Sequence, residues 1–347
     1  MARPARLSVV YLLEDTVLFG GVKVILHQAN LLTDRGHSVT VVSRGPSPDW
    51  FRLRAEFRQV SRFSKDTTPP AEVTVATHWT TIAPALEAAH GEVAHYCQGY
   101  EATYTHNTED HPAIAEAYRN PLPALVVSPH LGQLLREDFG RPSRLVVQPL
   151  ESFWRVGRRY LLKRRPAAVP RVLVVGPWEG TWKGIPTALA AVDHMRRDRF
   201  ECRLVRLSQY PLSEAEKSQL TPDEYLCHLS PEDAAPLVRS CDLLVAPSWE
   251  QEGFGLPVLE AFASGVPVVA SDIASFRGFA AEAAILVPAR DPGAFALAAR
   301  QILENPKRWR HHRAAGLAVA DRYSSRRAAD SAEAALSWVA SGQWRRD

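Results

Sequence analysis

Two carboxylates eight positions apart, Glu252 and Glu260, bracket the run Gly-Phe-Gly-Leu-Pro-Val-Leu, and no other stretch of the chain is as rich in chemistry. Gly253 and Gly255 bring bare backbone close to any ligand. Pro257 suits the first turn of a helix with apolar residues Val258, Leu259, Ala261 and Phe262, and Gly265 followed by Pro267 ends it. The amides of Phe254, Gly255 and Leu256 then sit at a helix start, where the dipole favours an anion and a phosphate can be held without metal. Carboxylates repel such a ligand. Glu252 and Glu260 are therefore read as acceptors for hydroxyls, such as those of a sugar ring and a ribose diol. A sugar nucleotide contains all three parts. For either glutamate alone a solvated surface position is the commoner outcome, and their shared loop and helix is what argues for a site.

Further polar residues fall at the ends of apolar runs. Lys183-Gly184 lies between a strand and a helix, where a lysine reaches a phosphate. Gly20-Gly21 opens the first helix after the first strand, which reads either as a ligand edge or as a tight turn alone. His78 ends another strand, and Gln98, Tyr100 and Glu101 follow a third. Strand ends at a sheet edge gather sites, although a lone histidine there is more often a hydrogen-bonded structural residue than a catalytic one.

The elements that must carry these residues follow from the apolar pattern. Strands are expected at residues 7–13, 38–43, 73–76, 94–97, 125–128 and 145–148, and again at 172–175, 204–207, 223–229 and 242–246. Helices are expected to residue 34, after Lys183-Gly184, after the Ser230 cap, over 292–303, and through 309–338. Strand, glycine loop, helix and parallel strand make the opening of a doubly wound sheet, with ligands at the carboxyl edge. The basic, proline-bearing stretch with Arg155, Arg158, Arg159, Lys163, Arg164 and Arg165 marks a boundary. The expected division is 1–152, a linker at 153–170, a second domain at 171–325, and a last helix at 326–347.

Composition narrows the classes. A chain of 347 residues, 46% of them hydrophobic, supports two cores. A net charge of +3 argues against a dedicated nucleic-acid binder. Cys97, Cys202, Cys227 and Cys241 show no paired spacing, which suits a reducing cytoplasm. No apolar run reaches the length of a membrane span, so any membrane contact is expected to be peripheral, with the basic stretch as its candidate face. The chain has no Asp-x-Asp and no clustered His or Cys, so no metal site is expected, and the lack of G-x-G-x-x-G removes the main support for a nicotinamide or flavin.

The run from Glu252 to Glu260, followed by Gly265-Val-Pro-Val-Val-Ala, resembles the signature of retaining GT-B glycosyltransferases of family 4. The resemblance is close in the C-terminal half and looser in the N-terminal half. It implies two Rossmann-like domains facing each other across a cleft, with the last helix crossing back to the first. It implies a nucleoside-diphosphate sugar as donor, no further cofactor, and a carbohydrate, lipid-linked or small-molecule hydroxyl as acceptor. Glu252 would hold the donor sugar, Glu260 the ribose and the intervening amides the diphosphate, with Lys183 as phosphate cation, Gly20-Gly21 beside the diphosphate and backbone near His228 on the base. His78, Tyr100 and Glu101 would lie on the acceptor side. Two departures stand out. Gln98 takes the place of the family's usual histidine, in a Gln-x-Tyr-Glu stretch similar to that of rhamnosyltransferase-like members, and Pro177 stands where an arginine is usual. Lys183, Glu252 and Gln98 are accordingly the candidate catalytic residues. An epimerase or phosphorylase on the same frame, or a non-catalytic nucleotide-sugar-binding protein, are the other readings.

Overall fold

Continuous apolar strands need cover on both faces, and the chain supplies it twice. The structure, a computed structural model, describes residues 6–157 and 165–346. Contacts divide the chain into two compact units, Met1–Pro149 with Tyr323–Asp347, and Leu150–Arg322.

The first unit runs β1 (Ser8–Leu13), α1 (Gly20–Asp34), β2 (Ser38–Ser43), β3 (Glu56–Gln59), β4 (Val73–Ala76), α2 (Trp79–Ala88), β5 (Glu92–Cys97), α3 (His111–Tyr118), β6 (Ala124–Val126), α4 (Pro129–Phe139) and β7 (Ser143–Leu145). Its seven strands are all parallel, in the order β3-β2-β1-β4-β5-β6-β7. The second unit runs β8 (Arg171–Val175), α5 (Ile185–Arg197), β9 (Arg203–Ser208), α6 (Glu214–Gln219), β10 (Glu224–Cys227), α7 (Pro231–Ser240), β11 (Leu243–Ala246), α8 (Leu256–Ala263), β12 (Val268–Ser271), α9 (Ala274–Arg277), β13 (Ile285–Val287), α10 (Pro292–Leu303) and α11 (Pro306–Ala320). Its six parallel strands repeat the plan as β10-β9-β8-β11-β12-β13. The last helix, α12 (Ser325–Ala340), belongs to the first unit.

Most expected strands are present, and the differences have local causes. β3 escaped the apolar pattern because Glu56, Arg58 and Gln59 form an exposed edge strand. β7 is Ser143–Leu145, earlier than the expected run 145–148, because its ladder with β6 stops at the Val126–Leu145 pair; Val146 and Gln148 beyond it are buried without being strand. The strand expected over 223–229 is only Glu224–Cys227, since His228 turns into a left-handed conformation at φ 56°. The helical tail breaks in two at residues 321–324, where Ser324 caps α12 through the Arg327 amide. Of the basic cluster, Arg158, Arg159, Lys163 and Arg164 lie outside the described residues, while Arg155 pairs with Asp321 at 2.6 Å. Residues leading into that cluster pack on the second unit: Val156 donates its amide to the Ala263 carbonyl, and Trp154 is buried.

The core of the second unit gathers Val172, Val174, Ile185, Leu189, Val192, Leu204, Val245, Phe295 and Trp309 on one side of the sheet. Gly316 lets α11 approach α8, since a Cβ there would lie 2.6 Å from Phe262. In the first unit α12 is tied down by polar contacts. The His37 ring accepts the Leu7 amide at Nδ1 (3.0 Å), which leaves its Nε2–H to donate to Glu333 Oε1 (2.9 Å). Arg35 meets the other oxygen of Glu333 at 2.6 Å, and Ser331 accepts the Val147 amide.

Glu333 is nearly buried and accepts from both the His37 ring and the Arg35 guanidinium, so its removal strands both donors. Glu333→Ala should lower the stability of the protein by about 2–3 kcal/mol, and Glu333→Gln by less, because an amide oxygen still accepts one bond. Urea unfolding of the two variants against wild type measures both.

Candidate functional site

Each sheet reverses its strand order at one place, between β1 and β4 and between β8 and β11, and connections diverging from such a pair leave a crevice at the carboxyl edge. In the second unit the loops leaving β8 and β11 carry Lys183 and Glu252. Their backbones lock together. Gly184, at φ 64°, lies so close to the other loop that a Cβ would sit 2.1 Å from the Pro247 carbonyl oxygen, and the Trp249 amide donates to Trp182 at 2.7 Å. Lys183 Nζ then reaches Glu252 Oε2 at 2.7 Å. Ser248 Oγ donates to the same oxygen at 2.9 Å, and the Glu252 amide donates back to Trp249. Glu252 is 8% exposed, and no described residue hydrogen-bonds its Oε1.

Two supports behind these loops are absent from the sequence reading. Arg206, fully buried in β9, pairs with buried Glu216 at 2.5 Å and donates to the carbonyls of Val174 (2.8 Å) and Gly176 (3.0 Å), fixing the point where the β8 loop begins. Its signal was present: an arginine amid Leu204, Val205 and Leu207 in a buried strand must have a job. Arg290 stacks on Trp249, 4.3 Å from the ring centroid, while pairing with Glu250 through both guanidinium branches. The Glu250 carboxyl is held below its usual range by its own backbone amide and by Arg290. No sequence signal links positions forty residues apart.

The helix start is built as its spacing predicts. Gly255 adopts φ 94°, and a Cβ there would collide with Phe276 at 2.3 Å, so both conformation and space demand glycine. Phe254 turns inward and stacks on Phe279 at 4.4 Å, leaving only its backbone at the edge. Glu260 is half-buried, one turn inside α8. Pro177 packs within its own loop against Gly180, and Lys183 is the cation that this loop contributes. His228 lies at the end of β10, two strands away from β8, with its amide on the Ser208 carbonyl.

In the first unit Gln98 donates to the Gly21 carbonyl at 3.2 Å, and glycine at 21 leaves room for it, since a Cβ would lie 3.0 Å from Nε2. Gly20 is the first residue of α1. Tyr100 is half-buried, edge-on to Tyr118 and Phe139. Glu101 is not an open carboxylate: it is buried, with Tyr118 Oη 2.5 Å from Oε2 and the amides of Glu101 and Trp79 turned toward it. Burial raises its pKa, against the opposing effects of His78, Tyr118 and those amides. His78 caps α2.

The family described as "Glycosyl transferases group 1" matches residues 169–305, the span holding all of the second-unit features above. The second unit is a group 1 glycosyltransferase domain. Among characterised relatives, a phosphatidyl-myo-inositol mannosyltransferase of Mycobacterium leprae is 40% identical over 91 residues, 26% of this chain and 24% of that protein. Another phosphatidyl-myo-inositol mannosyltransferase, from Mycolicibacterium smegmatis, is 33% identical over 150 residues, 42% of this chain and 39% of that protein. The chain thus matches about a quarter to two fifths of the length of these relatives. The fold extends further than the sequence similarity. Sucrose-phosphate synthase from Thermosynechococcus elongatus superposes with a TM-score of 0.78 at 16% identity, covering 97% of this chain and 100% of that one. Anabaena HepE in complex with UDP-glucose does so at 0.77 and 13% identity, covering 96% and 100%. The two units therefore make up the GT-B fold. Within the glycosyltransferase domain, Lys183 and Glu252 stand on the two loops of the switch point, and Glu260 lies one turn inside α8.

Two outcomes check this construction. Gly184→Ala forces a side chain into a left-handed residue and onto a carbonyl, and should destabilise the glycosyltransferase domain by about 1–3 kcal/mol, read from its thermal unfolding. Glu101 holds its proton more tightly folded than unfolded, so its contribution to stability is complete below the ordinary carboxylate pKa and is lost as pH rises through the raised value. In urea titrations across the weakly acid range, Glu101→Gln should remove that loss, so the wild-type-minus-variant difference should fall with rising pH.

Proposed function

We propose that this protein transfers a sugar, with retention and without a divalent metal, from a nucleoside diphosphate donor to a hydroxyl acceptor in the synthesis of a glycan, glycolipid or glycoside. The observation that carries this reading is the Lys183–Glu252 pair on locked loops at the switch point, beside the amides that open α8. Diphosphate is a stronger partner for Lys183 than one carboxylate. Its arrival would draw Nζ away and leave Glu252, still held by Ser248, to accept a hydroxyl of the donor sugar. Glu260 would accept from the ribose, and backbone at His228 would meet the base. Amides of Phe254, Gly255 and Leu256 would share the diphosphate charge with Lys183, which is why no metal is invoked.

Bond breaking between the anomeric carbon and the phosphate oxygen builds negative charge on the leaving diphosphate. The acceptor oxygen then bonds to the anomeric carbon from the same face, and its proton passes to a leaving phosphate oxygen. Relatives named as mannosyltransferases, and HepE solved with UDP-glucose, make mannosyl and glucosyl donors the first to try. Presentation of the acceptor on an anionic membrane is read by co-sedimentation with anionic vesicles at low salt.

A thermal-shift panel of UDP, GDP, ADP and dTDP should single out one nucleotide, which at a hundred times its dissociation constant stabilises by about 2.7 kcal/mol. Product analysis must then show a glycosylated acceptor; an isomerised donor, phosphate-dependent release, or binding without turnover would replace this reading with another. Because charge grows on the leaving group, Lys183→Ala should lower kcat by about a hundredfold or more while donor affinity falls by less than about tenfold. Activity that EDTA abolishes and magnesium or manganese restores would remove the metal-independent part.

A further inference from the structure

The switch point of the first sheet carries a group of polar side chains that the donor reading does not use. Glu14 follows β1, His78 follows β4, and Thr80 lies in the first turn of α2. Thr80 Oγ1 is 2.6 Å from Glu14 Oε1 and 3.0 Å from His78 Nδ1, and Arg44 Nη1 lies 3.0 Å from Glu14 Oε2. A threonine hydroxyl has one hydrogen to give. The shorter contact, to a carboxylate that only accepts, claims it. Thr80 Oγ1 is then an acceptor toward the ring, so Nδ1 must carry the imidazole hydrogen. The Thr80 amide also points at Nδ1, but at 3.5 Å it is at the outer limit of a hydrogen bond and does not outweigh the two shorter contacts.

With its hydrogen on Nδ1, the ring presents a lone pair at Nε2. Among the described residues nothing hydrogen-bonds that atom, and His78 is only half-buried. The arrangement Nδ1–H to hydroxyl to carboxylate fixes both the tautomer and the plane of the ring. A cap through the ring would require the opposite tautomer, with Nδ1 accepting the Thr80 amide across 3.5 Å. Gly20, which opens α1 after the β1 loop, and Gln98 after β5 stand at the same carboxyl edge.

We propose that His78 binds the acceptor: its Nε2 lone pair takes a hydrogen bond from an acceptor hydroxyl, and Thr80 and Glu14 hold the ring in the tautomer that this requires. Thr80 and Glu14 are positioning residues, acting through His78. The identity of the hydroxyl rests on the glycosyl-transfer reading; the tautomer does not.

Nitrogen NMR of protein labelled with 15N-histidine, with His78 assigned by its loss in His78→Gln, reads the tautomer directly at a pH where the ring is neutral. Hydrogen on Nδ1 and a bare Nε2 are expected in the wild type, with Thr80→Val and Glu14→Gln returning the hydrogen to Nε2. A wild-type ring protonated at Nε2 overturns the proposal. In transfer assays His78→Ala and Thr80→Val should each raise the acceptor KM by about tenfold, the loss of roughly one hydrogen bond, with the thermal shift given by the nucleotide unchanged. An unchanged acceptor KM in both variants also overturns it. If no nucleotide shifts the wild type at all, it is the transfer reading that fails, and the NMR result still decides the tautomer.

Discussion

A parallel sheet cannot close its own carboxyl edge where the strand order reverses, because the two connections leave in opposite directions. Both units of this protein are organised by that gap. In the second it receives the loops after β8 and β11, and the near-contact of Gly184 with the Pro247 carbonyl sets how closely those loops approach. A lysine and a glutamate sixty-nine positions apart in the chain are thereby held at hydrogen-bond distance before any ligand arrives. In the first the same gap receives Glu14 and His78. One topological rule thus accounts for the position of both the Lys183–Glu252 pair and the Glu14–Thr80–His78 group.

Holding a partly buried charge in place requires support from behind. Arg206 and Glu216 form a buried pair, and the guanidinium's other branches donate to the Val174 and Gly176 carbonyls, which offsets part of the cost of burying the charge. Arg290, exposed and paired with Glu250, does the same from the solvent side by stacking on half-buried Trp249. The loops are therefore fixed by contacts away from the Lys183–Glu252 pair, which under the proposed transfer would let that pair act with little rearrangement.

The periodic parts of the sequence were readable because burial on both faces imposes one composition: β4, α10 and β2 fall at their expected residues. Gly255 in the Glu252–Glu260 run was equally legible, since its conformation and the nearby Phe276 ring admit no other residue. What escaped were features fixed by distance in space. The exposed strand β3 has no apolar signature, Arg290 owes its role to an aromatic ring forty-one positions away, and Glu101 looked like an open carboxylate because nothing near it in sequence reveals that Tyr118 covers it. Thr80 was invisible for the same reason: a threonine after a strand is unremarkable until Glu14 is beside it.

The placement of α12 has an effect on how the molecule is made. His37, Arg35 and Val147 find their partners on a helix synthesised after the whole of Leu150–Arg322. During translation the early sheet emerges with the ground for that helix uncovered, including the apolar surface that Leu336 and Val339 later bury. The unit that begins first is completed last, and a ribosome that stops short of the final helix releases a chain with one finished half and one exposed half.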